Sequence, residues 1–498
     1  MTPPENRLIV VSNRLPFVIQ NQSDGGPRLV PGSGGLVTAL APVLRNRGGM
    51  WIGWPGQTGD ISELARILAD ATNEAGYTLI PISLTREEYD KFYCGYANET
   101  LWPLFHDLQW QCHFDPEYWH AYVAVNRKYA ETIMRHGQPD DFTWVHDYHL
   151  MYVAQALREL GFQSSLAFFL HIPFPPFDIF IKLPERHKLL DALLKFDLIG
   201  FQTQCDRRNF VHCVRALIKN VRIRATDHLH TIRLGEREVR VGTFPIGIDF
   251  NEFSKQAASQ EVAQRMRQIH EELPNRQIVL GVDRLDYTKG IPQRMKAFRD
   301  LLRRYPDLIQ RINLVLVVVP SRVGIPKYDA LKTDIERLAG EINGQFTQSG
   351  WVPIHYAFRS LERQELLAYY RAAEIGLVTP LKDGMNLVAK EFCASSVEGD
   401  SVLILSEFAG AAAQLKRGAL MVNPYDVEQT ADAIHQAFHM SLEEQRTRMR
   451  QLRRSVKTQN IYWWVDSFIQ TAINKELGDF PIQEEYIPEN PDLSNTPT

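Results

Sequence analysis

The stretch QIVLGVDRLDYTKG, residues 277–290, decides the fold: an almost wholly apolar run ends abruptly in charged residues and a glycine. A strand run of this kind, without alternation, suits a parallel sheet covered on both faces. The same texture recurs upstream in LIVVSN (8–13), FTWVHD (142–147), SLAFFLHI (165–172), FDLIGFQT (196–203) and VRVGTFPI (239–246). Downstream it recurs in INLVLVVVP (312–320), AEIGLVTP (373–380), SVLILSE (401–407) and ALMVNP (419–424). Helical patterns such as FDIFIKLPERHKLLDALLK and SLERQELLAYYRAA separate the runs, so the alternation predicts an α/β protein with doubly wound sheets. These strands are too many for one comfortable sheet, and two Rossmann-like domains are expected, meeting near Pro245 to Asp249. The expected boundaries are 1–248 and 249–459, with a last helix over about 460–478 packing back on the first domain and a mobile tail over 479–498. Two such domains facing each other leave a cleft lined by the C-terminal ends of their strands, where open α/β sheets bind ligands.

Composition narrows the function classes. Over 498 residues, 30 Gly and 28 Pro are an average share, which excludes collagen-like and low-complexity chains. A net charge of −4 gives no bulk attraction to nucleic acid or to an anionic membrane. The longest apolar run, LVLVVV (314–319), is far shorter than the ~20 residues of a membrane span. The start, MTPPENRLIVVSNR, has neither the basic nor the long apolar region of a secretory signal, so a cytoplasmic protein is expected. Five scattered cysteines, none in a CxxC pair, predict neither a disulfide framework nor a cysteine zinc site.

Polar residues fall just after the strands: Arg14, Asp147, His171, Arg284 with Lys289, Arg322, and Lys382 with Asp383 and Gly384. Each has a plain alternative, since such an Arg is often solvated and such an Asp often caps a helix. Together they mark one edge. Three stretches are more specific. GSGGLVTAL (32–40) is a glycine cluster opening a helix, whose amides suit a phosphate, or else an ordinary turn. DRLDYTKG supplies Arg284 and Lys289, enough charge for a diphosphate, or else a surface loop with an Asp286 salt bridge. DGMNLVAKE (383–391) turns into a helix, presenting amides from Met385 to Val388 and placing Glu391 to accept from a hydroxylated group, or else leaving Glu391 in solvent. The chain has no GxxxxGK[ST] loop, HExxH, GxSxG or D-x-D pair. His146, His149 and His171 lack helical metal-ligand spacing, and Tyr93, Tyr96 and Trp102 read as core or cleft wall. The pattern calls for binding two polyanionic, polyhydroxyl ligands without a covalent nucleophile.

The blocks VVSNRLPF, SGGL, WIGWPG, LWPLFH, VHDYHL, FFLHIPFP, IGFQT, PIGID, DRLDYTKG, PSR, EINGQF, PLKDGMNLVAKE, LSEFAGAA and NPYD occur in the order seen in trehalose-6-phosphate synthases. The resemblance covers about residues 8–475. It implies a retaining glucosyltransferase with two Rossmann-like domains facing across a cleft (GT-B) that joins glucose from a nucleotide-glucose, UDP-glucose favoured, to glucose 6-phosphate. By the same resemblance Arg14, Tyr93, Trp102 and Arg322 hold the acceptor's phosphate, and Asp147 hydrogen-bonds the acceptor sugar near its reacting hydroxyl. His171, Asp383, Gly384, Met385, Asn386, Leu387 and Val388 match donor contacts. Arg284 and Lys289 match the pair that neutralises the diphosphate, Gly35 lies at its backbone cradle, and Glu391 accepts from ribose. Asp147, His171, Arg284 and Lys289 are the residues expected to carry catalysis. No cofactor and no metal are implied, and a homo-oligomer stays open. FVIQNQSDGGPRLVP (17–31) reads as a loop of variable length, and HYAFRSLERQEL (355–366) borders the nucleotide. The other readings are a sister enzyme such as glucosylglycerol-phosphate synthase, a pseudo-glycosyltransferase, and a non-enzymatic sugar-phosphate sensor.

Overall fold

The computed structural model describes residues 7–22, 25–31, 35–59, 68, 72, 75–226, 229–322, 325–474 and 483–488. Most of the expected tail over 479–498, the end of the last expected helix, and Gly32, Ser33 and Gly34 of the glycine cluster lie outside the described residues. The chain divides into two compact units, Met1–Ile246 with Tyr462–Gln483, and Gly247–Ile461 with Glu484–Thr498.

Among the described residues, the first unit holds a nine-stranded sheet. Its order is Thr78–Pro81, Gly49–Trp54, Leu8–Arg14, Phe142–His146, Leu166–Phe169, Leu198–Phe201, Arg237–Thr243, Leu229–Leu234 and Val221–Ala225. All neighbours are parallel except the last two pairs. The second unit holds a six-stranded, all-parallel sheet in the order Ile354–Phe358, Ile312–Val319, Gln277–Arg284, Ile375–Val378, Val402–Ser406 and Leu420–Val422. Numbered along the chain, the second sheet runs 3-2-1-4-5-6, the dinucleotide-fold order, and the seven-stranded parallel part of the first runs 3-2-1-4-5-6-7. The first strand of each unit therefore lies inside its sheet, and the strand order reverses beside it. Burial explains why the apolar runs end here: Leu8 to Asn13 are buried and only Arg14, at the strand's end, is exposed. Gln277–Arg284 repeats the pattern, buried from Ile278 to Asp283 and exposed at Arg284.

The hairpin over 17–31 and the π-helix at Tyr89–Leu101 depart from the sequence reading. The stretch read as a loop over 17–31 is an antiparallel hairpin, Phe17–Gln22 against Gly25–Pro31. Val18 is in register with Val30 and Ile19 with Leu29, so apolar residues pair across the strands. Leu442–Thr458 and Ile461–Asn474 are separate helices, the second falling within the range expected for the last helix. Gly247 presses against the break: a Cβ there would lie 2.4 Å from the carbonyl carbon of Asn460, and the Ile461 amide donates to Ile248 at 3.0 Å. Tyr89–Leu101 is a π-helix, a wide-turned form that periodicity at 3.6 residues does not anticipate. The final helix lays Trp464 against Trp144 and Phe169, at centroid separations of 5.0 and 5.1 Å. No helix among the described residues is long and apolar enough to cross a membrane.

Candidate active site

In an open parallel sheet, the reversal of strand order splays the loops at the C-terminal edge and opens a crevice. In the first unit that point lies between Leu8–Arg14 and Phe142–His146, so it brings Arg14 and Asp147 to the same edge. The Arg14 guanidinium lies 4.3 Å from the centroid of Trp54. Gly56, at φ +100°, makes room for it, because a Cβ there would stand 2.4 Å from Arg14 Nη1. Trp54 meets Tyr93 at 6.1 Å, and Tyr93 stacks on His149 at 5.7 Å and 7°. His149 contacts Tyr148 at 3.9 Å, and Tyr148 leads to buried Trp102 at 5.6 Å. An aromatic chain thus links Arg14, Tyr93 and Trp102, which are scattered in sequence.

Asp147 adopts φ +75° and ψ 167°, a region that normally takes glycine. Its amide donates to the Phe169 carbonyl at 2.8 Å, and its Oδ1 accepts from the His171 amide at 3.2 Å. The side chain does not cap the short helix Tyr148–Leu150. At His171, Gln202 Nε2 faces Nδ1 at 3.4 Å and His146 Nδ1 faces Nε2 at 3.2 Å. Gln202 Oε1 accepts the Ile246 amide at 2.9 Å, which turns the Gln202 amino group toward His171 and fixes the tautomer. Both ring nitrogens of His171 are engaged. Burial lowers its pKa to about 3 and holds that of His146 well below 6.5, so the pair is neutral.

In the second unit, the reversal lies between Gln277–Arg284 and Ile375–Val378. Arg284 is exposed at its strand end and makes no ion pair among the described residues. Lys289 is ion-paired with Asp383, whose Oδ2 also accepts from Asn386 Nδ2 at 3.1 Å. Asn386, at φ +71°, caps the helix Leu387–Ser395 by accepting from the Ala389 amide at 3.3 Å. The amides of Leu387 and Val388 open that helix, where four donors lack intrahelical partners and the helix dipole favours an anion. Gly410 pins the turn: a Cβ there would lie 1.9 Å from the Gly384 carbonyl oxygen, and its amide donates to the Asp383 carbonyl at 3.0 Å. Glu391, half-buried, accepts from the Tyr370 hydroxyl at 2.9 Å. Burial raises its pKa, while that hydrogen bond and the Arg363 charge oppose the shift. Arg322, at φ +50°, is ion-paired with Asp286 at 2.8 Å and bonds the Tyr328 hydroxyl. The salt bridge weighed for Asp286 therefore exists, but with Arg322.

The candidates fall into two groups. Gly35, which opens the helix Gly35–Arg47, belongs to the first unit with Arg14, Tyr93, Trp102, Asp147 and His171. Arg284, Lys289, Arg322, Asp383, Gly384, Met385, Asn386, Leu387, Val388 and Glu391 belong to the second. Sequence reasoning missed the supports: Trp54 and Gly56 under Arg14, Gln202 and His146 behind His171, Tyr370 on Glu391, and Gly410. It also missed the buried pair of Arg294 and Asp283, 2.8 Å apart, which anchors the strand leading to Arg284. A charge inside an apolar run, GVD, was the available signal, because a buried charge requires a partner.

The model of glycosyltransferase family 20 matches residues 6–474. A trehalose-6-phosphate synthase of Mycolicibacterium gilvum (strain PYR-GCK) is 41% identical over 494 residues, covering 97% of this chain and 96% of that relative. An α,α-trehalose-phosphate synthase (UDP-forming) from Burkholderia xenovorans, solved with glucose-6-phosphate, is 35% identical with a TM-score of 0.84, covering 94% of this chain and 100% of that one. A protein from E. coli solved with UDP-2-fluoro glucose is 36% identical with a TM-score of 0.84, covering 94% and 99%.

Proposed function

The chain belongs to glycosyltransferase family 20, and from that premise we propose that it transfers glucose from UDP-glucose to glucose 6-phosphate, giving α,α-trehalose 6-phosphate. The observation that carries the reading is the pair of matching reversal points, each ending its first strand in an exposed arginine, Arg14 and Arg284. Two phosphorylated ligands need two cationic edges.

At the second unit's edge, Arg284 and Lys289 neutralise the diphosphate as the glycosidic bond lengthens, and the helix-opening amides of Leu387 and Val388 add donors. Lys289 is held by Asp383 in the free protein, so a diphosphate can take over the lysine while Asp383 turns to a sugar hydroxyl. Glu391 accepts from the ribose. At the first unit's edge, Arg14, Tyr93 and Trp102 receive the acceptor phosphate. In the second unit, the Asp286 carboxylate holds Arg322 in a fixed orientation. Asp147 positions the acceptor sugar, and the neutral His146–His171 pair holds the adjoining backbone rigid. No nucleophile is required: the acceptor hydroxyl approaches the face the diphosphate leaves, a diphosphate oxygen takes the proton, and the α configuration is kept. Charge neutralisation and positioning supply the rate. The five cysteines are free thiols, which suits the cytoplasm, where sugar phosphates and nucleotide sugars are made.

A panel of UDP-, ADP- and GDP-glucose against glucose 6-phosphate and glycerol 3-phosphate, with product followed by mass, tests the reading. The expected outcome is a disaccharide phosphate from UDP-glucose and glucose 6-phosphate. Product only with glycerol 3-phosphate would assign the chain to a sister activity, and no product with any pair would leave a sugar-phosphate binder.

A further inference from the structure

We propose that Asp307, His435 and His439 form a binding site for one divalent transition-metal ion of the zinc class, apart from the substrate-binding edge. One donor atom from each residue lies within 4.8 Å of the other two. Asp307 Oδ2 and His439 Nε2 are 3.7 Å apart, close to the ~3.4 Å that separates ligands on a tetrahedral ion with bonds of ~2.0–2.1 Å. Small side-chain rotations close the remaining gap.

The elements deliver these ligands for simple reasons. His435 lies in the last turn of the helix Val427–Phe438 and His439 follows four residues on, so both imidazoles project from one face. Their rings are 4.6 Å apart. Asp307 comes from the short turn Pro306–Leu308 ahead of the strand Ile312–Val319. The His435 ring is held in place by stacking on Tyr305 at 3.9 Å and 17°, and the Tyr305 hydroxyl donates to Asp432 Oδ1 at 2.6 Å. Arg304 takes up the charge of Asp432 at 2.8 Å, which leaves Asp307 as the carboxylate facing the two imidazoles. A pairwise contact accounts for Asp307 facing His439. It does not account for His435 bringing a third donor to the same point.

Two imidazoles and one carboxylate are a zinc-type ligand set with a fourth position for water, and a hard ion such as magnesium would disfavour it. The strands Gln277–Arg284 and Ile312–Val319 run in register, with Gln277 beside Ile312 and Arg284 beside Val319. Asp307 lies just before Ile312, so the site belongs to the opposite end of these strands from Arg284, roughly 23 Å away at ~3.3 Å per residue. An ion there ties the turn before one strand to the end of a helix and takes no part in transfer.

The test uses the full-length chain stripped of metal by chelator. Titration with Co2+, read by visible absorption, and with Zn2+, read by calorimetry, is compared with His439→Ala and with Asp307→Ala. The expected result is one equivalent bound with the intense bands of four-coordinate cobalt. Each variant should weaken affinity by at least the ~10–100-fold that loss of an outer partner costs, with unchanged circular dichroism and transfer activity. Binding of equal strength and spectrum in both variants would assign the metal to other histidines and overturn the proposal, as would absence of binding by the unaltered chain.

Discussion

Asp147 holds a backbone conformation that costs about 1–3 kcal/mol for a residue with a side chain. The structure bears that cost at the edge where the acceptor is proposed to bind. Asp147→Gly relieves it, so urea unfolding should show equal or greater stability while transfer falls sharply; loss of both together would mean that the residue serves folding instead. Arg284→Ala or Lys289→Ala should lower kcat by about 10²–10³-fold, the scale for removing a charge that acts on the transition state, with a smaller change in KM. Wild-type turnover in either variant would remove that residue from the diphosphate site. The buried histidines predict a pH effect of definite sign. Unfolded imidazoles protonate near 6.5, while burial lowers His171 to about 3 and His146 far below 6.5. Their contribution to stability is therefore complete above pH 6.5 and is lost as pH falls from there toward 3. Half-buried Glu374 acts oppositely: desolvation raises it to about 7 from 4.5, and its contribution is lost as pH rises through that interval. His146→Asn should accordingly flatten the fall in urea midpoint on the acid side, relative to the unaltered chain. An unchanged slope would mean that His146 is protonated in the folded protein.

Ten strands of the two sheets were legible because they carry an apolar run, and the residues just past them because that run stops there. Gly49–Trp54, Thr78–Pro81, Val221–Ala225, Leu229–Leu234 and Ile354–Phe358 were not, the third and fourth because polar residues fill half-exposed positions toward the sheet's edge. Nor were elements defined by backbone form. The π-helix Tyr89–Leu101 brings Tyr93 onto His149 through a turn that helical periodicity does not report. The hairpin over 17–31 was hidden by its Gly, Pro and Asp content, although apolar residues pair across its strands. Site residues were legible as types, whereas their supports depend on distant segments: Gln202 reaches His171 from another strand end, and Gly410 meets Gly384 from the next loop. Gly410→Ala tests the second contact. A methyl 1.9 Å from a carbonyl oxygen forces the 383–386 turn to shift, so UDP-glucose affinity should fall while unfolding stays within ~1–3 kcal/mol of the unaltered chain. Unchanged donor affinity would show that this turn does not hold the donor.

At the scale of the whole molecule, one plan is used twice. Each unit places its first strand inside a sheet whose order begins 3-2-1-4-5-6 and ends that strand in an arginine. The sheet order makes the crevice and the arginine makes it anionophilic, so a repeated fold accounts for a reaction with two phosphorylated substrates. The chain's net charge of −4 conceals this, because a sum over the whole chain does not report Arg14 and Arg284 exposed at their strand ends or Lys289 and Arg322 held there by Asp383 and Asp286. Proton NMR of the product made from UDP-glucose and glucose 6-phosphate tests the account most directly. It predicts one disaccharide phosphate in which both anomeric protons carry the small coupling of α linkages. A β-linked product, or conversion of UDP-glucose to free glucose without transfer, would contradict it.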